Sequence, residues 1–299
     1  MRIFVSGAGG NLGGKLIAHL CEQSWCEAVA GVDVNTLGAE QSPVGSAKLS
    51  LARADLTVPT DHRWRDLLAG SDAIVHLAVS NVYPDCSWED AATSFAMTAI
   101  LLDAAAEAGA RRFVFASSNH VMGGYKDPPL SLGLRPGGLT PDLPAAPGTS
   151  MLRAGVKCRP YAYAAAKLFG EKAVVAKARA SRGRLTCIAV RIGWCQTGRN
   201  HPSTLDASGF PGGNPDAVAD GPDDAIDLAW FRGMWLSNRD FSALMERALL
   251  ADATAWPSPG VIVNGMSANT NMSWDLEYGR RLIGFDPQDN SSKDLGLVP

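Results

Sequence analysis

Arg2-Ile-Phe-Val-Ser-Gly-Ala-Gly-Gly-Asn-Leu-Gly-Gly-Lys-Leu-Ile-Ala-His-Leu20 is the stretch that decides how this chain is organised. Arg2–Ser6 reads as a short apolar strand and Lys15–Leu20 as the start of an amphipathic helix. Between them Gly7, Gly10 and Gly13 stand three apart. Glycines at that spacing permit a tight turn and let the backbone approach a pyrophosphate at the helix N-terminus. Alone the motif is weak, but strand, Gly-rich turn and helix in this order give it the context of a dinucleotide site. The competing reading is an ordinary strand-to-helix turn. Glu27–Asp33 is a second apolar strand, and its closing acid stands 20 residues after Gly13. A carboxylate there accepts hydrogen bonds from an adenosine ribose and repels a 2′-phosphate, which favours NAD over NADP. Asp33 capping the next turn is the alternative.

The alternation continues. Ala47–Ala52 leads to Asp55-Leu56 and a helix over Trp64–Leu68. Asp72–Ala78 is a buried strand whose end, with Val79, Ser80 and Asn81, falls at the carboxyl edge of the sheet. A helix is predicted over Ala91–Ala108, ended by Gly109. Arg112–Ala116 is another strand, running into Ser117-Ser118-Asn119-His120. Strand and helix alternating over more than 100 residues predict an α/β fold with a doubly wound parallel sheet.

Downstream lies Tyr163-Ala-Ala-Ala-Lys167. Residues four apart share a helix face. An ammonium there favours the phenolate, and a tyrosine so tuned takes a proton from a hydroxyl at neutral pH. A solvated helix face is the plain alternative. The order of glycine turn, Ser-Ser pair and Tyr-Lys pair says more than any one of them.

The 299 residues are 46% hydrophobic, enough for one large domain or a domain with a smaller lobe. The net charge of −3 and the absence of a basic run give no reason to expect nucleic acid. The N-terminus enters a strand directly, and no stretch has the length of a membrane span, so a cytoplasmic protein is expected. Cys21, Cys26, Cys86, Cys158, Cys187 and Cys195 form no zinc-like spacing. They read as reduced packing thiols, and no metal is expected.

Taken together, Gly7/Gly10/Gly13, Asp33, Asp55-Leu56, His76-Leu-Ala78, Ser117-Ser118 and Tyr163/Lys167 resemble the extended short-chain dehydrogenase/reductase family over roughly the first 195 residues. The resemblance implies a Rossmann-type NAD-binding domain over residues 1–195 with an inserted loop at 125–160. A substrate lobe over 196–299 would send some segments back to the sheet. It also implies a catalytic set of Ser118, Tyr163 and Lys167. NAD contacts would come from Gly7, Gly10, Asn11, Leu12, Gly13, Asp33, Asp55, Leu56, Leu77, Ala78, Tyr163 and Lys167. Within the family the chain is most similar to the uronate dehydrogenases, through Val114–His120, Val190–Gly193, Trp235–Phe241 and Asn264–Asn269. That similarity implies sugar contacts from Ser80 and Asn119, and a carboxylate held by Arg191; His120, next in the chain, is either a donor to a substrate oxygen or a hydrogen-bonded structural residue. The implied reaction is oxidation of an anionic aldohexose at C1 to its lactone, with a uronate or a sulfonated hexose such as sulfoquinovose as substrate. A nucleotide-sugar epimerase or dehydratase with tightly held NAD is the alternative, and a non-catalytic NAD(H) sensor a third reading. Family analogy suggests a homo-oligomer.

Two Gly/Pro-rich segments, 125–160 and 197–224, read as loops beside the catalytic edge. The first holds Lys126, Arg135, Arg153, Lys157 and Arg159 against Asp127 and Asp142. It is either a cationic lid over an anionic sugar or a solvated surface. In the second, Arg199 or His201 is a candidate to reach the pocket. His76, inside an apolar strand, reads as a satisfied core histidine. Ser237-x-x-Asp240 reads as a capping box. The tryptophans of the later chain are expected mostly in the lobe's core.

Overall fold

The apolar runs become strands β1 (Arg2–Ser6), β2 (Ala28–Asp33), β3 (Leu49–Arg53), β4 (Ala73–His76) and β5 (Arg112–Ser118) of a computed structural model. It describes residues 1–35, 46–153, 156–207 and 222–297. β6 (Met151–Arg153) and β7 (Val156–Cys158) form a separate antiparallel hairpin. β8 (Thr186–Ile192) and β9 (Gly260–Gly265) complete a seven-stranded sheet of order β3-β2-β1-β4-β5-β8-β9, parallel throughout. Every residue of β4 and β5 is buried, as expected of strands covered on both faces.

The helices are α1 (Asn11–Glu22), α2 (His62–Leu68), α3 (Trp88–Glu107), α4 (Ala162–Ala180), α5 (Pro222–Gly233), α6 (Asn238–Leu250), α7 (Glu277–Ile283) and the short α8 (Ser291–Asp294). Leu16, Ile17 and Leu20 of α1 pack with Phe241, Leu244 and Phe285 in one core cluster against the sheet. Trp64 of α2, Leu101 of α3 and Val174 of α4 belong to the cluster on the other face. Strand order reverses between β1 and β4, and the crevice outside their carboxyl ends is where open α/β sheets bind ligands.

A third cluster is separate from these two. Val121, Met122 and Leu139 join Trp230, Phe231, Met266 and Trp274 there. This cluster draws on residues before Tyr163 as well as on the C-terminal third, while β9, from that third, pairs with β8 in the sheet. Trp230 and Trp274 lie in this cluster, whereas Trp64 and Trp256 serve the two sheet clusters.

Several local expectations shift. α3 begins at Trp88, ahead of Ala91, because Ser87 and Asp90 form a complete capping box. Gly109, at φ +75°, follows its end as predicted. Ser237 caps α6 by accepting from the Asp240 N–H, but the box is not closed. The Asp240 carboxylate instead accepts from Ser267 Oγ (2.6 Å) and from the Gln288 and Asp289 N–H groups (2.9 and 3.0 Å). Segment 125–160 is not an open loop throughout. Leu139, Thr149 and Met151 are fully buried in it. Of segment 197–224, residues 208–221 lie outside the described residues, and α5 begins at Pro222.

Candidate active site

The glycine turn is built on contact distances that leave no room for side chains. A Cβ on Gly7, at φ +73°, would lie 2.7 Å from the Ala78 nitrogen, and one on Gly13 would lie 2.1 Å from the Gly7 carbonyl oxygen. The turn thus packs against the end of β4 and opens onto a cleft of about 890 Å³. Gly7, Gly10, Asn11, Leu12 and Gly13 form its floor at one end, with Leu77, Ala78 and Ser80 beside them. Asp33 also lines it. One Asp33 oxygen accepts from the Gly9 N–H (3.0 Å) and the other from the Asn35 N–H (2.9 Å). Asp33 thus ties the glycine turn to the turn that follows β2, and its carboxylate lies on the cleft wall. Leu56 lines the cleft and Asp55 does not. The Asp55 carboxylate accepts from the Thr57 N–H and hydroxyl (2.8 and 2.7 Å), which turns it into its own loop.

Ser118, Asn119, His120, Tyr163 and Lys167 converge on the same cleft from the end of β5, the 3-10 turn that follows it and α4. The Ser118 and Tyr163 side chains both line the cleft, and the Ser118 hydroxyl accepts from the His120 N–H (3.2 Å). Lys167, 4% exposed, donates from Nζ to the Ala116 carbonyl (2.6 Å), with Nζ 5.6 Å from the centre of the Tyr163 ring. In the chain by itself, burial pushes the Tyr163 phenol up to about 12, opposed by the Ser118 side chain. Burial pulls Lys167 down to about 7. In the chain by itself, withdrawal from water therefore dominates the phenol, against the direction expected from the neighbouring lysine.

His120 stacks on Tyr83 with ring centres 3.7 Å apart and meets Tyr163 edge-on at 5.9 Å. Its Nδ1 lies 2.7 Å from Thr149 Oγ1, while the Tyr83 hydroxyl donates to the Thr149 carbonyl (2.9 Å). Burial lowers the His120 pKa to about 3, so the ring is neutral at physiological pH. Tyr83 and Thr149 carried no sequence signal; only the fold brings them beside His120. Asn119 donates to the Ile192 carbonyl (3.1 Å), and its buried Oδ1 has no partner among the described residues. Ser80 lines the cleft, its hydroxyl donating to Asp90 (2.8 Å) and its N–H to Ser94 Oγ (2.9 Å). His76 is the satisfied core residue expected. Thr98 donates to the Ser94 carbonyl, so it accepts from His76 Nε2 (3.0 Å), leaving Nδ1 to accept from Ser6 (2.7 Å).

Arg191 does not reach the cleft, and its expected role as the carboxylate anchor is corrected here. It is 2% exposed and absent from the cleft wall. Its Nε and Nη2 donate to the two oxygens of buried Glu171 (2.8 and 2.9 Å), a fork already filled from within. Most cations of segment 125–160 are likewise spent on structure. Lys126 pairs with Asp227, and Lys157 and Arg159 with Asp127. The Arg153 side chain lies outside the described residues. Arg199 and His201, from the second segment, do line the cleft. Arg199 is exposed and, among the described residues, has no carboxylate partner and is the one guanidinium on the wall. Its loop is tied to α1, where Asn11 donates to the Cys195 carbonyl (2.9 Å) and Lys15 to that of Gln196.

Among the described residues no helix is long and apolar enough to cross a membrane, and no cluster of three or more His, Cys, Asp or Glu is arranged for a metal. All six cysteines are free thiols.

Residues 3–193 match the profile of the NAD dependent epimerase/dehydratase family. The chain is 29% identical to an L-arabinose 1-dehydrogenase (NAD(P)(+)) of Haloferax volcanii, over 97% of this chain and 98% of that protein. It is 26% identical to an NAD-dependent glucose-6-phosphate dehydrogenase of the same organism, over 97% and 94%. Among solved structures it is similar to uronate dehydrogenase from Agrobacterium tumefaciens, with a TM-score of 0.65 and 25% identity, covering 100% of this chain and 90% of that one.

Proposed function

Because the chain belongs to the NAD dependent epimerase/dehydratase family, we propose that it is an NAD-dependent sugar dehydrogenase that oxidises C1 of an anionic aldose to the lactone. The observation that carries this reading is the convergence of Ser118, Tyr163 and Lys167 on the cleft that the glycine turn opens. The relatives support it, since arabinose, glucose 6-phosphate and uronate are sugars without a nucleotide.

The residues present fit a dinucleotide. Gly7 and Gly13 are glycines because any Cβ would strike backbone, and the cleft they floor ends in the Asp33 carboxylate. Gly10, Asn11, Leu12 and Gly13 would take the pyrophosphate at the start of α1, and Asp33 the adenosine ribose. Bound NAD⁺ supplies the acceptor for the hydride leaving C1 and a positive charge that favours the phenolate. The protein's own part is proton handling and aim. Tyr163 removes the C1 hydroxyl proton as the carbonyl forms. Ser118, on the cleft wall with the phenol, fixes the direction of that hydroxyl. Lys167 holds a positive charge under the site, poised near neutrality by burial. The unpartnered Asn119 Oδ1 accepts from a sugar hydroxyl, and neutral His120 forms the wall behind Tyr163. Arg199, in place of Arg191, meets the anionic group. A guanidinium suits a planar carboxylate and serves a sulfonate as well.

The test is a panel of uronates, a sulfonated hexose, phosphorylated aldoses and neutral sugars, assayed with NAD⁺ and NADP⁺ for growth of the NADH absorbance band. Bulk reduction of NAD⁺ by an anionic aldose is the expected result. Tyr163→Phe lowers kcat by roughly 10²- to 10⁴-fold and leaves NAD⁺ binding intact. A chain that purifies with NAD already bound and interconverts nucleotide sugars, oxidising none of the panel, refutes the reading.

A further inference from the structure

The ion pair that removes Arg191 from the cleft lies directly behind the reacting groups. Tyr163, Lys167 and Glu171 are spaced by four along α4 and so form one stripe on it. Each is tied to a different one of three consecutive residues at the end of β5. Lys167 takes the Ala116 carbonyl, Glu171 Oε1 accepts from Ser117 Oγ (2.6 Å), and the Ser118 side chain holds the Tyr163 phenol's pKa down against burial. Arg191 on β8 is the register partner of Ser117 and holds both Glu171 oxygens. Helix and strand can come this close because α4 carries Gly170 there: a Cβ would lie 2.2 Å from the Phe115 ring.

Glu171 is 0% exposed and Arg191 2%. Burying such a pair costs each ion its hydration, and well-packed apolar residues of similar volume commonly stabilise a fold as well or better. Stability alone therefore gives little reason to keep two full charges here. Orientation does, because a bidentate fork fixes both distance and plane. We propose that Glu171, clamped by Arg191, is a positioning residue that acts through Ser117 to set the approach of β5 to α4, and with it the placement of Ser118 against Tyr163. Neither ion touches substrate or cofactor. The kinetic consequence rests on the dehydrogenase reading above; the positional one does not.

The test uses the full chain in three forms beside wild type. Ser117→Ala removes the link to β5 and leaves no buried charge unpaired. The double variant Arg191→Met/Glu171→Met removes the pair together and keeps the volume apolar. Arg191→Lys keeps the charge and loses the fork. The measurements are kcat, both KM values, the midpoint of the acid limb of kcat against pH, and the titration of the Tyr163 ring carbon by NMR, assigned with Tyr163→Phe.

The double variant is expected to fold and to keep both KM values within about twofold. Its kcat should fall by about 10- to 100-fold, the scale of a reacting group displaced by up to an ångström. Its acid limb and Tyr163 titration should both move, and Ser117→Ala should follow in the same direction with a smaller change. Arg191→Lys should recover part of the loss. A folded double variant with wild-type kcat and an unmoved Tyr163 titration overturns the proposal. If the double variant does not fold, Ser117→Ala decides, and wild-type values in it overturn the proposal equally. If wild type reduces no NAD⁺ with any sugar, the dehydrogenase reading fails on its own; an unmoved Tyr163 titration in the variants then overturns the positional claim, and a moved one supports it.

Discussion

Lys167→Met should make the protein more stable at neutral pH while stopping its chemistry. Lys167 is 4% exposed, and burial takes its pKa from 10.5 to about 7. Each unit is worth about 1.4 kcal/mol, so the charged lysine costs the fold up to about 5 kcal/mol. The sign follows from proton counts. Between pH 7 and 10.5 the unfolded chain holds a proton that the folded chain has released, so stability rises with pH across that window. Below pH 7 both states are charged and the full cost is present. Methionine removes this cost and also loses the bond to the Ala116 carbonyl, about 1 kcal/mol. The variant should therefore exceed wild type by about 3 kcal/mol at pH 7 and by only about 1 kcal/mol at pH 9. The assay is urea unfolding of cofactor-free wild type and variant from pH 6 to 9, comparing their difference so that other titrating groups cancel. A variant less stable than wild type at pH 7, or a difference that stays constant with pH, refutes the reasoning. The expected outcome marks Lys167 as a residue that costs stability and is kept for its charge under the site.

Arg199→Met should lower kcat/KM for an anionic sugar by about 10-fold, a modest figure because the guanidinium is exposed, and leave a neutral sugar nearly unchanged; equal losses on both would remove Arg199 from substrate recognition. Asp33→Ser should cost about 10-fold or more in KM for NAD⁺, the scale of one charged hydrogen bond. It should also narrow the preference over NADP⁺, and an unchanged NAD⁺/NADP⁺ ratio would count against the ribose contact. His76 and His120 are both held near a pKa of about 3 by burial. Between pH 6.5 and about 3 the unfolded chain binds protons that these rings do not, so stability should fall as pH drops through that window. His120→Gln should flatten the fall by about one proton, measured by denaturant unfolding against pH.

The sheet and its cofactor end were legible in the sequence because their constraints are local. A glycine turn between an apolar strand and a helix, an acid closing the second strand, and Tyr163 one turn before Lys167 all depend on near neighbours, and periodicity carries them. The direction of the phenol's pKa was not legible. It depends on how much water the fold removes around Tyr163, and burial there outweighs the lysine that spacing places nearby. Arg191 shows the same limit in another form. Its place at the end of a strand beside the site was plain, but its partner Glu171 sits 20 residues away on a helix, and only packing of α4 onto β5 and β8 brings the two together. The cations of segment 125–160 read as a reservoir of free charge until the fold set Lys126 against Asp227, and Lys157 and Arg159 against Asp127. Sequence by itself determined which backbone the cofactor needs, since that is set by steric rules a few residues long. Tertiary structure alone decided which charges remain free to meet a substrate, because a charge is free only when nothing distant in the chain has folded against it.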